Sequence, residues 1–373
     1  MVSSQRRVAV GSNQVAFGVI FGREMRHWRV RPCGVSGYHA GMPPQADRLQ
    51  FDGTRRLGRT GLPVSAIGLG LAALGRPAYI TLGRTKDLGP NRSVGALRRR
   101  THAVLDAAHA AGVRYFDAAR SYGRAEEFLA SWLAERGIGP GEVTVGSKWG
   151  YEYTGGWRVD AERHEVKDLG VSALRRQLEE TRGVLGSHLD LYQVHSATLE
   201  SGVFEDDAVL GELEAVKEAG VAVGLSVTGA RQAETITRAL ETGLFDTVQA
   251  TWNLLERSAS DALARAHEAG LGVIVKEALA NGRLAVREGE TDERLLVAAR
   301  GRGQTPDALA LSAALAQPWA DVVLSGAATV DALRSNLSAL AAIPYDQETD
   351  RRLLPMSEER EHYWSERANM PWA

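Results

Sequence analysis

The chain of 373 residues has a single cysteine, Cys33, and only five lysines. One cysteine excludes an intramolecular disulfide framework and any metal site built from several cysteines, and we predict no metal site. No apolar run approaches the roughly 18 residues that a membrane-spanning helix needs, so we expect no membrane span. Because nearly all of the 44 basic residues are arginine, each remaining lysine is worth inspecting.

The net charge of −2 is unevenly distributed along the chain. Residues 1–41 carry six arginines and one acidic residue, whereas the rest has an acidic excess, which argues against a nucleic-acid-binding surface. Arg6 and Arg7 precede a short apolar stretch, but no clean cleavage site follows, so we expect a cytoplasmic protein. Two interpretations stay open for this end of the chain: residues 1–50 form a disordered basic extension, or translation begins at Met42 and residues 1–41 are a start-site artefact.

Short apolar runs alternate with amphipathic helical patterns from residue 64 to residue 340. Several helical patterns stop at a glycine, such as Gly112, Gly186 or Gly270, which is typical of helix ends. The predicted strands are mostly continuous Val, Ile and Leu runs, which favours a parallel sheet buried on both faces. Eight such units predict a (β/α)8 TIM barrel over residues 51–343, followed by a tail at 344–373.

A doubly wound open sheet is the main alternative to the barrel. The motif Gly68-x-Gly70-x-x-Ala73 follows a predicted strand and resembles a dinucleotide-binding fingerprint. A helix should open at that point, but Gly75, Arg76 and Pro77 follow instead. The barrel is therefore the favoured architecture, with its active site at the carboxyl-terminal rim.

Four polar residues follow three consecutive predicted strands. Asp117 and Tyr122 come after the second strand, Lys148 after the third and His195 after the fourth. A tyrosine titrates near pH 10 in water, so a nearby ammonium would make it a better acid. A buried lysine needs a carboxylate partner, and a neutral histidine can orient a carbonyl group. Such a site could protonate an oxygen while a hydride reaches the attached carbon.

Each of these residues alone has a structural explanation, such as capping a loop or packing at the rim. Their joint occurrence on consecutive strands of a lysine-poor chain favours a functional role. The segments 56–70 (RLGRTGLPVSAIGLG) and 116–123 (FDAARSYG), with Ser147-Lys148 and His195, resemble the aldo-keto reductase superfamily. The resemblance runs from about residue 56 to residue 340.

This resemblance implies a nicotinamide-dependent reduction of an aldehyde, ketone or sugar-like carbonyl, or the reverse oxidation. It implies that Tyr122 is the general acid and that Lys148 and Asp117 lower its pKa. It also implies that His195 orients the carbonyl. The substrate would be a small-molecule carbonyl compound or alcohol, while the oligomeric state stays open.

The cofactor implied by the resemblance is NADP(H), with NAD(H) left open. Two positions depart from the family pattern: Val227 replaces the usual asparagine, and Lys276 replaces an aromatic residue that stacks on the nicotinamide. Arg334 is the one basic residue near the expected 2′-phosphate position. The predicted cofactor-binding residues are Gly70, Ser226, Gln249, Lys276, Leu279, Gly282, Gly326, Arg334 and Asn336.

Aromatic residues on or near the rim are candidates for the substrate pocket. Trp149, Tyr151 and Trp157 lie on the long loop at 149–170, and Trp252 lies near the sixth strand. Two other functions stay open. The chain could be a non-catalytic nicotinamide-binding regulatory subunit, for which Val227 and Lys276 leave room. It could also be a barrel lyase or epimerase that uses Lys276 for Schiff-base chemistry.

Overall fold

The computed structural model describes residues 53–286 and 291–373. The predicted extension at 1–50, with Cys33, lies outside these residues. Eight parallel strands in the described part of the chain close into a barrel. They are β1 (Ile67–Gly70), β2 (Tyr115–Asp117), β3 (Thr144–Trp149), β4 (Leu189–Ala197), β5 (Ala222–Val227), β6 (Thr247–Thr251), β7 (Gly272–Lys276) and β8 (Val322–Ser325).

The order of strands around the barrel follows the order of the chain. The ring closes where β8 pairs with β1, with Val323 opposite Ile67 and Ser325 opposite Leu69. The predicted TIM barrel is therefore confirmed, and the open doubly wound sheet is wrong. The residues after Gly70 form turns rather than the helix that a dinucleotide fingerprint requires.

Helices follow the strands and cover the outside of the barrel. Several begin at a residue whose side chain accepts a backbone N–H: Ser93 accepts from Ala96 and Thr305 from Ala308. The helices in the described residues are α1 (Arg84–Leu88), α2 (Val94–Ala110), α3 (Ala125–Arg136), α4 (Val171–Leu185), α5 (Asp207–Glu218), α6 (Gln232–Thr242), α7 (Ser260–Glu268), α8 (Glu293–Gly301), α9 (Pro306–Leu315), α10 (Val330–Leu337), α11 (Gln347–Leu353) and α12 (Arg360–Ala368). None of them is long and apolar enough to cross a membrane.

An antiparallel hairpin lies at the amino-terminal end of the barrel. Thr54–Arg56 pairs with Pro63–Ser65, and only Ala66 separates this hairpin from β1. The hydroxyl of Ser65 donates to the carbonyl of Ile67 at 2.6 Å and stabilises the bend between the hairpin and β1. Leu57 and Val64 of the hairpin pack with buried side chains of the barrel strands in one apolar cluster. The cluster members from the barrel are Tyr115, Leu191, Ile274, Val322 and Leu324.

Two further segments lie at the opposite rim. A second hairpin pairs Tyr151–Tyr153 with Glu165–Lys167 in the loop after β3. The predicted tail at 344–373 contains α11 and α12, and its end reaches the loop after β1. There the backbone of Ala373 exchanges two hydrogen bonds with Tyr79, at 3.1 and 3.2 Å. The rim is thus built from loops and from the end of the chain.

Candidate active site

A buried ion pair lies where β2 and β3 end. Asp117 and Lys148 are 2% and 0% exposed, and the Lys148 ammonium donates to the Asp117 carboxylate. The ammonium also donates to the carbonyl of Ala118 at 2.9 Å. Asp117 accepts further hydrogen bonds from Tyr115 at 3.1 Å and from Gln249 at 2.9 Å. The adjacent parallel strands bring these groups together, and the carboxylate of Asp117 is surrounded by hydrogen-bond donors.

Tyr122 and His195 lie above this pair and face each other. The Tyr122 hydroxyl is 3.5 Å from Nε2 of His195, and the rings meet edge to face at 5.4 Å. Nδ1 of His195 lies 3.5 Å from the hydroxyl of Ser121. Burial, followed by the positive charges of Lys148 and other cations, lowers the pKa of His195 well below its usual value. The imidazole is therefore neutral at neutral pH and can accept or donate one hydrogen bond.

The surroundings of Tyr122 correct the expectation that Asp117 lowers the pKa of its phenol. Burial raises the pKa of Tyr122, the Asp117 charge raises it further, and Arg76 lowers it. Asp117 therefore opposes ionisation of the phenol rather than favouring it. The ammonium of Lys148 lies 5.1 Å from the centre of the Tyr122 ring and is paired with Asp117. The phenol is therefore protonated at neutral pH, as a proton donor must be.

Arg76 is a buried cation that the sequence analysis did not select. Its side chain is 2% exposed, donates to Glu165 at 2.7 Å and donates to the carbonyl of Ser121 at 3.1 Å. The guanidinium carbon lies 4.8 to 5.1 Å from the ring centres of three aromatic residues, and these are Tyr79, Tyr122 and Trp372. Arginine is so common in this chain that composition did not single out Arg76.

A cavity of about 300 Å³ opens over these groups. Nine of the predicted site residues line it: Gly70, Asp117, Tyr122, Tyr151, His195, Ser226, Gln249, Lys276 and Gly326. Lys148 lies below it, in contact with Asp117. The cavity is also lined by residues that were not among the predicted site residues, including Arg76, Glu165, Arg367 and Trp372. These four come from the loop after β1, the rim hairpin and the tail, so sequence spacing could not place them beside the strand ends.

A chain of hydrogen bonds runs along one wall of the cavity. Nζ of Lys276 donates to the hydroxyl of Thr251 at 2.9 Å, and that hydroxyl donates to Glu277 at 2.8 Å. Arg367 of α12 donates to the same carboxylate at 2.9 Å. Burial raises the pKa of Glu277, but Arg367 and Lys276 outweigh it and hold that pKa at about 2. Glu277 is therefore ionised and serves as the anchor of the tail helix.

Three of the predicted pocket aromatics lie outside the cavity, and this is a correction. Trp149 follows Lys148 on β3, so strand alternation turns its side chain outward, where it is 0% exposed. Trp252 is also buried, and its indole N–H donates to Ser260 at 2.8 Å. The indole N–H of Trp157 donates to the carbonyl of Arg92 at 2.9 Å. Of the four, only Tyr151 lines the cavity; its ring centre lies 5.0 Å from that of His195.

The remaining predicted cofactor residues lie beyond the cavity. Arg334 is exposed on α10, and Asn336 is 3% exposed and hydrogen-bonded to Ser325 at 2.8 Å. Leu279 and Gly282 belong to the turn after β7, where Gly282 has a positive φ of 94° and lies against Leu82. A Cβ atom at Gly282 would lie 3.0 Å from the Leu82 carbonyl oxygen, so this close approach requires glycine.

The described residues contain no group of three or more His, Cys, Asp or Glu side chains arranged to hold a metal ion. What the rim does bring together is a proton donor, a neutral imidazole and a buried ion pair, facing one cavity. Such an arrangement can bind a polar oxygen and transfer a proton to it.

Comparison with known proteins gives the family. A solved aldo-keto reductase of Bacillus halodurans, in a holo form, has the same fold, with a TM-score of 0.63 and 22% identity, covering 82% of this chain and 96% of that chain. An uncharacterised oxidoreductase of Bacillus subtilis is 23% identical over 77% of this chain and 91% of that protein. A pyridoxal 4-dehydrogenase of Microbacterium luteolum is 30% identical over 39% of this chain and 44% of that protein. The family model for the aldo/keto reductase family matches residues 66–353, and the chain belongs to that family.

Proposed function

We propose that this protein is a nicotinamide-dependent oxidoreductase that reduces an aldehyde or ketone, or oxidises the alcohol in reverse. The observation that carries the proposal is the placement of Tyr122 against His195, above the buried Lys148–Asp117 pair and facing the cavity. A protein that only held a nucleotide would not need a proton donor at this point. This placement therefore favours an enzyme over a regulatory subunit.

In this proposal the substrate oxygen lies between Tyr122 and His195. Tyr122 donates its phenolic proton to that oxygen, and the neutral imidazole of His195 hydrogen-bonds to it and fixes its position. Lys148 pairs with Asp117 and so partly offsets the opposition of that carboxylate to formation of the phenolate after proton transfer. When bound, the nicotinamide ring supplies the hydride for the carbonyl carbon.

The residues around the cavity fit a nicotinamide nucleotide. Ser226 and Gln249 would hold the carboxamide, and Gly326 leaves room for a ligand at the edge of the cavity, since a Cβ atom added there would meet nothing within 4 Å. The buried side-chain oxygen of Asn281 lines the same cavity without a hydrogen-bond partner among the described residues. It can accept a hydrogen bond from a sugar hydroxyl.

The direct test is aldehyde-dependent loss of NADPH absorbance. The purified protein is mixed with NADPH or NADH and a panel of aliphatic, aromatic and sugar-like aldehydes. We expect turnover of at least part of the panel and formation of the matching alcohol. Binding of the cofactor without turnover of any aldehyde or alcohol would favour the regulatory subunit instead.

Arg334 should determine the preference for NADP(H) over NAD(H). It is exposed in the middle of α10, and its ion pair with Asp331, at 3.7 Å, is exposed and therefore weak. We expect Arg334→Ala to weaken NADPH binding about tenfold, which corresponds to about 1.4 kcal/mol. The dissociation constant for NADH should change by less than about twofold, because NADH lacks the 2′-phosphate. Fluorescence titration measures both constants.

Arg351→Ala is the matched control for this prediction. Arg351 is also exposed and paired with an acidic neighbour on its own helix, Glu348, at 2.8 Å. It should leave both dissociation constants unchanged. Equal weakening of NADPH and NADH by Arg334→Ala would contradict the assignment, since the 2′-phosphate alone distinguishes the two cofactors.

The Arg76–Glu165 pair should set the pH dependence of proton transfer. Arg76 lowers the pKa of Tyr122 and Glu165 raises it. Removing the cation in Arg76→Gln should therefore raise that pKa, and the rising limb of alcohol oxidation, which needs the phenolate, should move to higher pH by about one unit. Glu165→Gln should move the same limb to lower pH. The pH–rate profile of alcohol oxidation measures both shifts.

The two variants should shift the pH–rate profile in opposite directions, and this distinguishes an electrostatic effect from a change in packing. A change that merely loosened the loop after β1 would shift both variants in the same direction or neither. Thermal unfolding of each variant provides the control for folding. Equal profiles in wild type and both variants would show that the pair does not act on Tyr122.

A further inference from the structure

The charges around the cavity pair off almost completely. Asp117 pairs with Lys148, Glu165 with Arg76 at 2.7 Å, and Glu277 with Arg367. Each of the three carboxylates that line the cavity therefore has its own cation. A substrate group of negative charge finds no unpaired carboxylate to repel it among these described residues.

Lys276 is the cation left over at this wall. Its ammonium has one hydrogen bond, to Thr251 at 2.9 Å, and no carboxylate of the described residues lies within 4.0 Å. An ammonium carries three N–H donors, so two make no hydrogen bond to the described residues, and the ammonium lies 5.8 Å from the centre of the Trp364 ring. The nearest acidic neighbour in sequence, Glu277, is already held by Thr251 and Arg367. The side chain lines the cavity, where a ligand can reach it.

An unpaired ammonium in such a place is costly. Burial, and then the charges of Arg367 and Lys148, lower the pKa of Lys276 to about 8 against the opposing effect of Glu277 and Asp117. The group is still mostly charged at neutral pH, and an anion beside it would offset the cost of its burial. Lys276 also contributes to the low pKa of His195, so its charge is felt where the carbonyl oxygen would lie.

We propose that Lys276 binds an anionic group of the substrate, so that the substrates are aldehydes or ketones that also carry a carboxylate or a phosphate ester. This inference rests on the proposed function. Lys276 on β7 and His195 on β4 line the same cavity of about 300 Å³, so one small molecule can reach both. The carbonyl oxygen then lies at Tyr122 and His195, and the anionic group at Lys276.

A binding experiment tests the subsite without any turnover. Benzoate and benzamide have the same shape and differ in charge, and calorimetry gives their dissociation constants for wild type, Lys276→Met and Lys276→Arg. We expect wild type to bind benzoate about tenfold more tightly than benzamide, Lys276→Met to lose this preference and Lys276→Arg to keep it. The arginine variant retains the charge and so keeps the test valid if the methionine variant folds poorly.

Two results would overturn the inference. One is a wild type without benzoate preference, and the other is a Lys276→Met variant that keeps it. If that variant also binds NADPH much more weakly, Lys276 belongs to the cofactor site.

Turnover separates this inference from the proposed function. The kcat/KM of wild type is compared for para-carboxybenzaldehyde and para-formylbenzamide, and for glycolaldehyde phosphate and glycolaldehyde. Preference for one anionic member, lost in Lys276→Met, supports the inference and shows which anion is bound. Turnover of the neutral members without preference contradicts the inference but leaves the proposed function intact. If wild type prefers benzoate but turns over no aldehyde, the proposed function is contradicted and the anion site at Lys276 is not.

Discussion

Replacing Tyr122 with phenylalanine is expected to lower kcat for carbonyl reduction by about 10²- to 10⁴-fold, the usual contribution of a general acid. The ring and its edge-to-face contact with His195 at 5.4 Å can remain, so only the hydroxyl is lost. The dissociation constant for NADPH should change by less than about twofold, because the proton donor acts on the substrate oxygen. Steady-state kinetics and fluorescence titration of the cofactor measure the two quantities.

Tyr192→Phe is the matched control. Tyr192 is a buried tyrosine of β4 that does not line the cavity, so its hydroxyl should be irrelevant to turnover. A Tyr122→Phe variant with nearly wild-type kcat would show that another group donates the proton. His195, 3.5 Å from the Tyr122 hydroxyl, would be the next candidate.

Lys148→Met should have the largest effect on stability. The substitution removes the ammonium and leaves the carboxylate of Asp117, which is 2% exposed, without its charge partner. Breaking a buried pair in this way costs about 3–5 kcal/mol. Urea unfolding measures the free energy of unfolding.

The double variant Lys148→Met/Asp117→Asn separates charge from packing. It removes both charges, so it should recover much of the lost stability, whereas turnover should stay low. A single Lys148→Met variant as stable as wild type would show that the pair contributes nothing to the fold. In that case the strict burial of Lys148 would have no energetic explanation.

The barrel was predictable because its signals are local. Continuous apolar runs, glycine stops and short spacings identify strands and helices, and parallel strands necessarily end on one rim. Asp117, Lys148 and His195 lie near the carboxyl ends of their strands, and Tyr122 follows Asp117 by five residues. Their convergence therefore required no knowledge of the long loops. Their catalytic roles remain predictions until the variants are measured.

Long-range packing was not predictable in the same way. Arg76 meets Glu165 and Trp372 only because the loop after β1, the rim hairpin and the tail pack together in three dimensions. The aromatic residues of the loop at 149–170 failed as a guide for a different reason. An indole is equally suited to a pocket wall and to the core, and strand alternation buried Trp149.

The contact between Glu277 and Arg367 has a consequence for how sequences of this kind can change. The two residues are 90 positions apart, one at the end of a barrel strand and the other on the tail helix. Substituting either residue leaves the charge of the other poorly compensated. A substitution at one position alone should therefore destabilise the wall that holds Lys276. A change at Glu277 would therefore be expected to need a compensating change at Arg367, so this wall of the barrel and the tail helix depend on each other for stability.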